Sequence, residues 1–323
     1  MSTPLNPRKF LLNHGQAALI DLLRSVNYRL QPGLVRDLCH VLRTSLPWLI
    51  AGPRGGGKTA LAEALAEACA LPIFYLQGMD GITLEDIIGR WDRQAQDMHV
   101  RYEVEFGKRP LAEVREEIHS REFFLFADPL AAYAYAEANG LPPIFILDEA
   151  DKLDVRAQDM LLQLLGRGFA YVPGLGKVGV SDQSLWPVVI ILSNDMRHEL
   201  SAPFRSRCLF SMLPMPNIIE QAEILHLRCS DAPLTLVREM AKVLDALQSI
   251  ASISDKPGPR EAIQLIRALH GAGIATLNRE VLDEHVAFLA KNQKDILNIE
   301  KATDRLAVAA RSPHQLIDAW GTI

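Results

Sequence analysis

A glycine-rich segment carries the clearest chemical signal in the chain. It reads Gly52-Pro53-Arg54-Gly55-Gly56-Gly57-Lys58-Thr59, which fits the pattern G-x-x-x-x-G-K-[ST]. Glycines allow backbone N–H groups to curve around a phosphate, and a following helix directs the positive end of its dipole at the same anion. The pattern predicts that residues 52–59, together with Ala60 at the start of the next helix, bind the phosphates of a nucleotide.

The two residues that end this segment have distinct predicted roles. Lys58 is expected to reach the β- and γ-phosphates, and the hydroxyl of Thr59 is expected to bind Mg²⁺. The alternative is a glycine-rich turn that holds no ligand. The context favours the phosphate-binding loop, because the apolar run 48–51 precedes it and the helix formers of residues 59–65 follow it.

A pair of acids follows a second apolar run. Residues 144–147, Ile-Phe-Ile-Leu, lead directly into Asp148 and Glu149. At the carboxyl end of a buried strand, Asp148 is placed to hold the Mg²⁺ shell and Glu149 to polarise an attacking water. An acid in this position can also simply cap the next helix, so the assignment depends on its pairing with the glycine-rich loop.

Further downstream, one amide and three arginines complete the set of candidate residues. Asn194 follows the apolar run 188–192 and could contact both a γ-phosphate and a water, although asparagine is also a common turn former. Arg205, Arg207 and Arg260 could each neutralise charge on a transferring phosphoryl group. Alternatively, Arg205 and Arg207 are surface ion-pair partners and Arg260 only flanks a helix start.

The elements that must position these residues alternate along the chain. Short apolar runs at 48–51, 73–76, 144–147 and 188–192 are separated by helical stretches such as 61–70 and 155–165. Uninterrupted apolar strands between helices indicate a parallel sheet that is covered on both faces. The class predicted is therefore α/β.

Two segments interrupt the alternation of strands and helices. Residues 90–122 are rich in charge and include a helical pattern over 111–118, which predicts a solvated surface helix with i,i+4 ion pairs. Residues 171–177, Tyr-Val-Pro-Gly-Leu-Gly-Lys, predict a hairpin or a loop. Neither segment contributes a candidate catalytic residue.

The two ends of the chain are predicted to be helical. After about residue 216 the pattern gives helices at 218–228, 234–250, 260–270 and from 282 onward, with a break at Ser312-Pro313. The predicted division is a helical lead-in at 1–43, an α/β nucleotide-binding domain at 44–216, a helical unit at 217–295 and a helical tail at 296–323.

Composition restricts the classes of function. With 323 residues, 49% of them apolar and 23% charged, the chain is typical of a folded protein. A net charge of −5 argues against a protein that mainly grips nucleic acid, although a local basic groove stays possible. Four scattered cysteines favour reduced thiols, and no run approaches the ~18 apolar residues of a membrane span. We expect a cytoplasmic protein without a membrane segment.

Taken in order, these motifs resemble the AAA+ ATPases over about residues 35–295. The resemblance implies ATP and Mg²⁺ as cofactors, a P-loop core with a five-stranded parallel sheet flanked by helices, and a C-terminal helical lid. It implies that Asn194 is sensor 1 and that Arg260 is the sensor 2 arginine, which reaches from the lid to the nucleotide of its own subunit. The segment 206–208, Ser-Arg-Cys, is similar to the one that carries the arginine finger, with Arg205 as the rival of Arg207.

Within AAA+, the chain most resembles the MoxR branch. Residues 77–89, which end in Asp-Ile-Ile-Gly, look like the segment after the second strand in that branch. Asp128-Pro129-Leu130 resembles its Gly-Pro-Leu, with Asp128 in place of the glycine. The resemblance implies a homo-oligomeric ring, expected to be a hexamer, that remodels or activates a protein client. A partner with a von Willebrand factor A domain often accompanies such proteins.

Two other functions are compatible with the same motifs. One is a nucleic-acid-associated AAA+ ATPase, either clamp-loader-like or a DNA-bound regulator, because the segment 206–208 also resembles the clamp-loader finger. The acidic net charge and the lack of a helix-turn-helix or zinc pattern disfavour it. The other is a scaffold that binds nucleotide without turnover, which the presence of Asp148, Glu149 and the candidate finger arginines disfavours.

Overall fold

Nine strands belong to the computed structural model, which describes residues 3–53, 55–194, 200–314 and 317–318. In chain order they are β1 Trp48–Gly52, β2 Ile73–Gln77, β3 Gly89–Trp91, β4 Phe124–Phe126, β5 Ile144–Asp148, β6 Phe169–Val172, β7 Gly176–Gly179, β8 Val188–Asn194 and β9 Leu209–Met212. The four apolar runs predicted from the sequence are β1, β2, β5 and β8.

Five of these strands form one parallel sheet in the order β2-β5-β8-β1-β9. This confirms the predicted five-stranded parallel sheet. The carboxyl ends of its strands lie on one side of the sheet, where Gln77 of β2 is in register with Asp148 of β5. Ligands bind outside the carboxyl ends of parallel strands, so we expect the functional site on this side of the sheet.

Helices account for most of the remaining residues that the structure describes. They are α1 Pro7–Ser25, α2 Pro32–Thr44, α3 Lys58–Cys69, α4 Leu84–Ile88, α5 Arg93–Glu105, α6 Leu111–Glu117, α7 Asp128–Asn139, α8 Val155–Arg167, α9 Ala202–Arg205, α10 Ile218–Arg228, α11 Leu234–Gln248, α12 Pro259–Gly271, α13 Arg279–Glu284, α14 Val286–Leu289 and α15 Gln293–Arg311. The helical C-terminal region is confirmed, and α15 ends directly before the predicted break. Helix α15 runs across the predicted boundary between residues 295 and 296.

The two interrupting segments have regular structure. Strands β3 and β4 pair antiparallel and enclose α5 and α6. Only α6 was predicted; α5 has no buried residue, so it lacks the apolar stripe by which a helix is recognised in a sequence. Strands β6 and β7 form the hairpin expected near residues 171–177.

The polypeptide folds into two units, each assembled from separate stretches of the chain. Among the residues that the structure describes, the first is drawn from the ranges 1–22, 31–51 and 62–212, and the second from 23–30, 52–61 and 213–323. The sheet and its acids therefore belong to the first unit, whereas the glycine-rich loop belongs to the second with the C-terminal helices. Among the described residues, no helix has both the length and the apolar character needed to cross a bilayer.

Each unit has its own apolar core. In the first, Phe145 and Ile191 of the sheet pack with Leu161 of α8. In the second, Met240 of α11 packs in one cluster with Leu265 of α12. Burying such a side chain stabilises a fold by roughly 1.5–3 kcal/mol, so these clusters fix the elements that carry the candidate site.

Candidate active site

The glycine-rich loop of the second unit has a backbone that only glycine adopts easily. Gly55 and Gly57 have φ angles of 76° and 90°, in the region that side chains with a Cβ avoid. Helix α3 begins at Lys58, directly after these turns. The loop therefore leads into a helix N-terminus, which is the geometry that binds phosphate. Arg54, which was predicted to belong to the loop, lies outside the described residues.

Lys58 lies buried against its own loop. Its Nζ donates to the carbonyl oxygens of Gly52 at 2.7 Å and Pro53 at 2.9 Å, and the residue is only 6% exposed. These bonds hold a positive charge within the curve of the loop. Thr59 and Ala60 follow in the first turn of α3, and both are half-buried. This arrangement fits an anionic ligand such as a nucleotide phosphate.

The first turn of α12 packs against the same loop. A Cβ added at Gly55 would lie 3.6 Å from Oε2 of Glu261 and 3.8 Å from Cα of Gly258. Arg260 stands between these two residues in the sequence and is exposed. Tyr28, which sequence reasoning missed, also reaches the loop, where its Oη donates to the carbonyl of Gly57 at 3.5 Å. The structure thus brings the candidate Arg260 to a turn that contacts the loop.

In the first unit, the acid pair lies at the end of β5. Asp148 is the last residue of the strand, and Glu149 turns away from it with a left-handed φ of 49°. Both carboxylate oxygens of Asp148 are hydrogen-bonded: Oδ1 accepts from the N–H of Glu149 at 2.7 Å, and Oδ2 accepts from Tyr75 Oη at 3.1 Å. The carboxylate therefore has a defined orientation.

Three side chains converge on the carboxylate of Glu149. Gln77 Nε2 and Lys152 Nζ each donate to Oε2 at 2.5 Å, and Asn194 Nδ2 donates to Oε1 at 3.5 Å. The structure thus brings together Glu149 and Asn194, which were singled out separately in the sequence. It adds Gln77 and Lys152. Gln77 could have been found from the topology, because polar residues that end neighbouring parallel strands meet at one edge.

A buried acid fixes the end of β8. Oδ1 of Asp151 accepts from Ser193 Oγ at 3.3 Å and from the N–H of Asn194 at 3.2 Å. Asp151 is 8% exposed and lies in the short 3₁₀ turn after β5. This link ties the backbone of Asn194 to the turn that follows Glu149, so the two side chains keep their relative position.

Strand β2 approaches the acid pair closely. The N–H of Gly78 donates to the carbonyl of Asp148 at 2.7 Å, and a Cβ at Gly78 would lie 2.3 Å from the carbonyl oxygen of Glu149. Any larger residue would push the acids away. The structure also explains Asp128, which replaces the glycine expected from the MoxR resemblance, because its Oδ2 accepts from the N–H of Tyr75 at 2.8 Å.

Tyr75 keeps its proton in this setting. Partial burial raises the pKa of its phenol to about 12, and the neighbouring Asp148 carboxylate contributes to the rise. At neutral pH the hydroxyl is therefore a hydrogen-bond donor. Its oxygen lies 2.7 Å from Gln77 Oε1 as well as 3.1 Å from Asp148.

The two candidate finger arginines lie on the surface of the first unit. Arg205 is the last residue of α9, and Arg207 follows in the turn before β9; both are exposed. Nη1 of Arg207 donates to the carbonyl of Pro203 at 2.8 Å. An exposed position suits an arginine that acts on a neighbouring subunit. It suits Arg205 and Arg207 equally, so the geometry does not choose between them.

The donor groups present fit magnesium. Among the described residues, no group of three or more His, Cys, Asp or Glu side chains forms a metal cluster. Magnesium does not need such a cluster, because it usually binds one or two carboxylates together with substrate phosphates and waters. A carboxylate at Asp148 and a hydroxyl at Thr59 are oxygen donors of this kind, and bound Mg²⁺ would neutralise charge on the phosphates.

Comparison with known protein families identifies the class. A model described as an AAA domain of the dynein-related subfamily matches residues 47–208, about half of the chain. The chain therefore belongs to the AAA+ superfamily. Within that superfamily, it belongs to the family of dynein-related AAA domains. AAA+ ATPases in general bind ATP with Mg²⁺ and commonly assemble into rings.

Comparison with individual solved structures found distant similarity. No curated protein matches the chain. Among solved structures, it is similar to the RuvB Holliday junction branch migration motor of Thermotoga maritima, with 16% identity over 77% of this chain and a TM-score of 0.39. The chain spans 64% of the length of that protein. A single-substitution variant of the same motor gives 14% identity, coverage of 90% and 72% of the two chains, and a TM-score of 0.40. The family assignment rests on the match to residues 47–208.

Proposed function

We propose that this protein is a MoxR-like ring ATPase of the cytoplasm, expected to be a hexamer, that remodels or activates a protein client. The observation that carries the catalytic part is the convergence of Gln77, Lys152 and Asn194 on Glu149. Side chains from separate elements hold one carboxylate at the functional edge of the sheet. The MoxR-like residues 77–89 and 128–130 support the assignment to a chaperone-like branch, whose clients often involve a von Willebrand factor A domain partner.

In the proposed mechanism, residues 52–60 bind the phosphates of ATP, and Lys58 supplies positive charge at the β- and γ-phosphates. Thr59 and Asp148 provide the oxygen ligands of Mg²⁺. The order of these motifs in the chain, which follows the AAA+ pattern, supports each of these roles. Arg260, in the first turn of α12, senses the nucleotide from the lid.

Glu149 is the proposed group that orients and polarises the attacking water. Its Oε2 already accepts two hydrogen bonds at 2.5 Å, whereas among the described residues Oε1 has only the longer contact of 3.5 Å with Asn194. A water would therefore donate to Oε1. Asn194 is positioned beside that oxygen, which makes it the natural second ligand of the water and supports its assignment as sensor 1.

We assign the arginine finger to Arg207, with Arg205 as the rival, and propose that it acts in the neighbouring subunit. A finger of this kind raises the rate by about 10³ to 10⁵. We also propose that residues 44–216 form the nucleotide-binding domain and residues 217–295 form the lid. The residues from 296 onward then act as an extension of the lid, because α15 runs through residue 295 without a break.

Mixing inactive subunits tests the shared site. Lys58→Ala subunits lack the phosphate lysine but keep Arg207, whereas Arg207→Ala subunits keep an intact nucleotide loop. If the finger acts across an interface, mixtures recover part of the ATPase activity that each variant lacks. Phosphate release at varied ratios measures the recovery, and the same mixtures with Arg205→Ala identify which arginine is responsible.

A matched control uses Lys58→Ala with Glu149→Gln. Both changes affect the site of their own subunit, so we expect no recovery in this mixture. Failure of Lys58→Ala to rescue either arginine variant at every ratio would refute the shared site. Strong stimulation of the wild-type ATPase by DNA would instead support the nucleic-acid-associated alternative.

A further inference from the structure

Tyr75 links the two acids of the candidate site, although no motif includes it. It lies on β2, the edge strand beside β5. Asp128 fixes its backbone N–H, while its hydroxyl oxygen lies 2.7 Å from Gln77 Oε1 and 3.1 Å from Asp148 Oδ2. Both the backbone N–H and the hydroxyl of Tyr75 are therefore hydrogen-bonded, and the phenol points toward the carboxyl ends of the strands, where the acids lie.

The hydroxyl of Tyr75 has two acceptors and a single proton. A phenol donates one hydrogen bond, whereas a glutamine carbonyl and a carboxylate can only accept one here. The proton is therefore shared between Gln77 Oε1 and Asp148 Oδ2. Through its other end, Gln77 donates from Nε2 to Glu149 Oε2 at 2.5 Å. The four side chains form an unbroken series from Asp148 through Tyr75 and Gln77 to Glu149.

This series allows a change at one acid to reach the other. If Asp148 were a ligand of Mg²⁺, its carboxylate would be a weaker hydrogen-bond acceptor, and the hydroxyl of Tyr75 would donate more fully to Gln77 Oε1. Hydrogen bonds in a series polarise one another, so the bond from Gln77 to Glu149 strengthens. We propose that Tyr75 is a positioning residue that orients Asp148 for its metal ion and couples that aspartate to Glu149 through Gln77.

This inference rests on the proposed function, because it assumes that Asp148 is a ligand of Mg²⁺. The competing explanation is that these contacts only fill the hydrogen-bonding capacity of the hydroxyl, because Tyr75 is 40% exposed on an edge strand. The two explanations differ in one respect. If the hydroxyl only fills its own hydrogen-bonding capacity, its removal leaves the dependence of nucleotide binding on Mg²⁺ unchanged. If Tyr75 positions Asp148, removal of the hydroxyl changes that dependence.

The test uses Tyr75→Phe, which removes the hydroxyl and retains the ring. Binding of a fluorescent ADP analogue is titrated with and without Mg²⁺. We expect unchanged affinity without the metal, and about a tenfold higher Mg²⁺ concentration for half-maximal enhancement, as is typical when a group that orients a metal ligand is lost. Tyr171→Phe removes the hydroxyl of a 70% exposed tyrosine in the β6–β7 hairpin and should match the wild type.

A double-mutant cycle tests the coupling through Gln77. ATP turnover at saturating Mg²⁺ is measured for Tyr75→Phe, Gln77→Ala and the double variant. If Tyr75 acts through Gln77, adding Tyr75→Phe to Gln77→Ala lowers turnover less than it lowers the wild type. Additive effects would overturn the coupling.

The outcomes separate this inference from the proposed function. A Mg²⁺ dependence in Tyr75→Phe within twofold of the wild type overturns the role of Tyr75 and leaves the proposed ATPase site intact. Wild-type nucleotide binding that does not respond to Mg²⁺ at all overturns both. Circular dichroism and the thermal midpoint of Tyr75→Phe, compared with the wild type, show whether the variant keeps its fold.

Discussion

The glycine-rich loop and the acid cluster are built in opposite ways. The loop is one continuous run in the second unit, and its shape comes from backbone angles at Gly55 and Gly57. The acid cluster belongs to the first unit, and its shape comes from side chains that three strands and a turn bring together around Glu149. The difference suggests a division of work, in which the loop determines nucleotide affinity and the cluster determines turnover.

Glu149→Gln should give the largest effect and the sharpest support for this division. An amide cannot act as the base, and a positioned general base contributes about 10²- to 10⁴-fold to a rate. We expect turnover to fall by that factor while nucleotide affinity stays within about twofold of the wild type. Phosphate release and equilibrium binding of a fluorescent nucleotide measure the two quantities. Glu116→Gln, on the exposed face of α6, is the matched control, and equal turnover in both variants would contradict the assignment.

Gly57→Ala should instead lower the affinity for nucleotide. A Cβ at a left-handed φ costs about 1–2 kcal/mol, and the φ at Gly57 is 90°. Because the loop would relax away from its phosphate-binding shape, we expect roughly tenfold weaker nucleotide binding. Turnover at saturating ATP should fall much less.

The control for this change is Gly166→Ala, within α8. A Cβ there meets nothing within 4 Å and needs no positive φ, so affinity should not change. If Gly57→Ala kept its affinity and lost turnover instead, the division between loop and cluster would be wrong.

Asp295 provides the smallest expected effect on activity and a useful contrast with Glu149. Its carboxylate is also thoroughly hydrogen-bonded, since it accepts from the N–H groups of Ser254 and Asp255 and from the side chain of Asn292. Hydrogen bonds from Ser254 above all, then those from Asp255 and Asn292, lower the pKa of Asp295 to about 2. Nothing in the proposed mechanism uses it, so Asp295→Asn should leave turnover unchanged.

Stability, however, should depend on this carboxylate and on pH. Because the folded pKa is below the unfolded value of 3.8, the ionised group stabilises the fold above about pH 4 and loses that contribution as the pH falls toward 2. We expect Asp295→Asn to lower the thermal midpoint by roughly 3 °C at neutral pH. The difference from the wild type should shrink below pH 4, whereas Asp245→Asn, at an exposed position on α11, should show no such trend.

The same contrast explains what could be predicted from the sequence. The loop, the acid pair and the parallel sheet depend on residues that are adjacent in the chain, and their patterns are therefore legible. Gln77 and Tyr75 become part of the site only through strand order and register, whereas Lys152 reaches Glu149 through the 3₁₀ turn that follows β5. Strand β9, with buried Ser211 between exposed Phe210 and Met212, has no apolar run that would predict it. Helix α5 was also not predicted, because it buries no residue and therefore has no apolar face to recognise in the sequence.

The bond between Asp128 and the N–H of Tyr75 has a consequence for behaviour at high protein concentration. Strand β2 is an edge of the sheet, and it carries exposed Ile73 and Tyr75. Such an edge is a template on which strands of other molecules can add, which leads to aggregation. By occupying a main-chain donor on that edge, Asp128 blocks one of the bonds that an added strand would need. With Asp128 at this position, the edge strand offers one N–H group fewer to a strand added from another molecule.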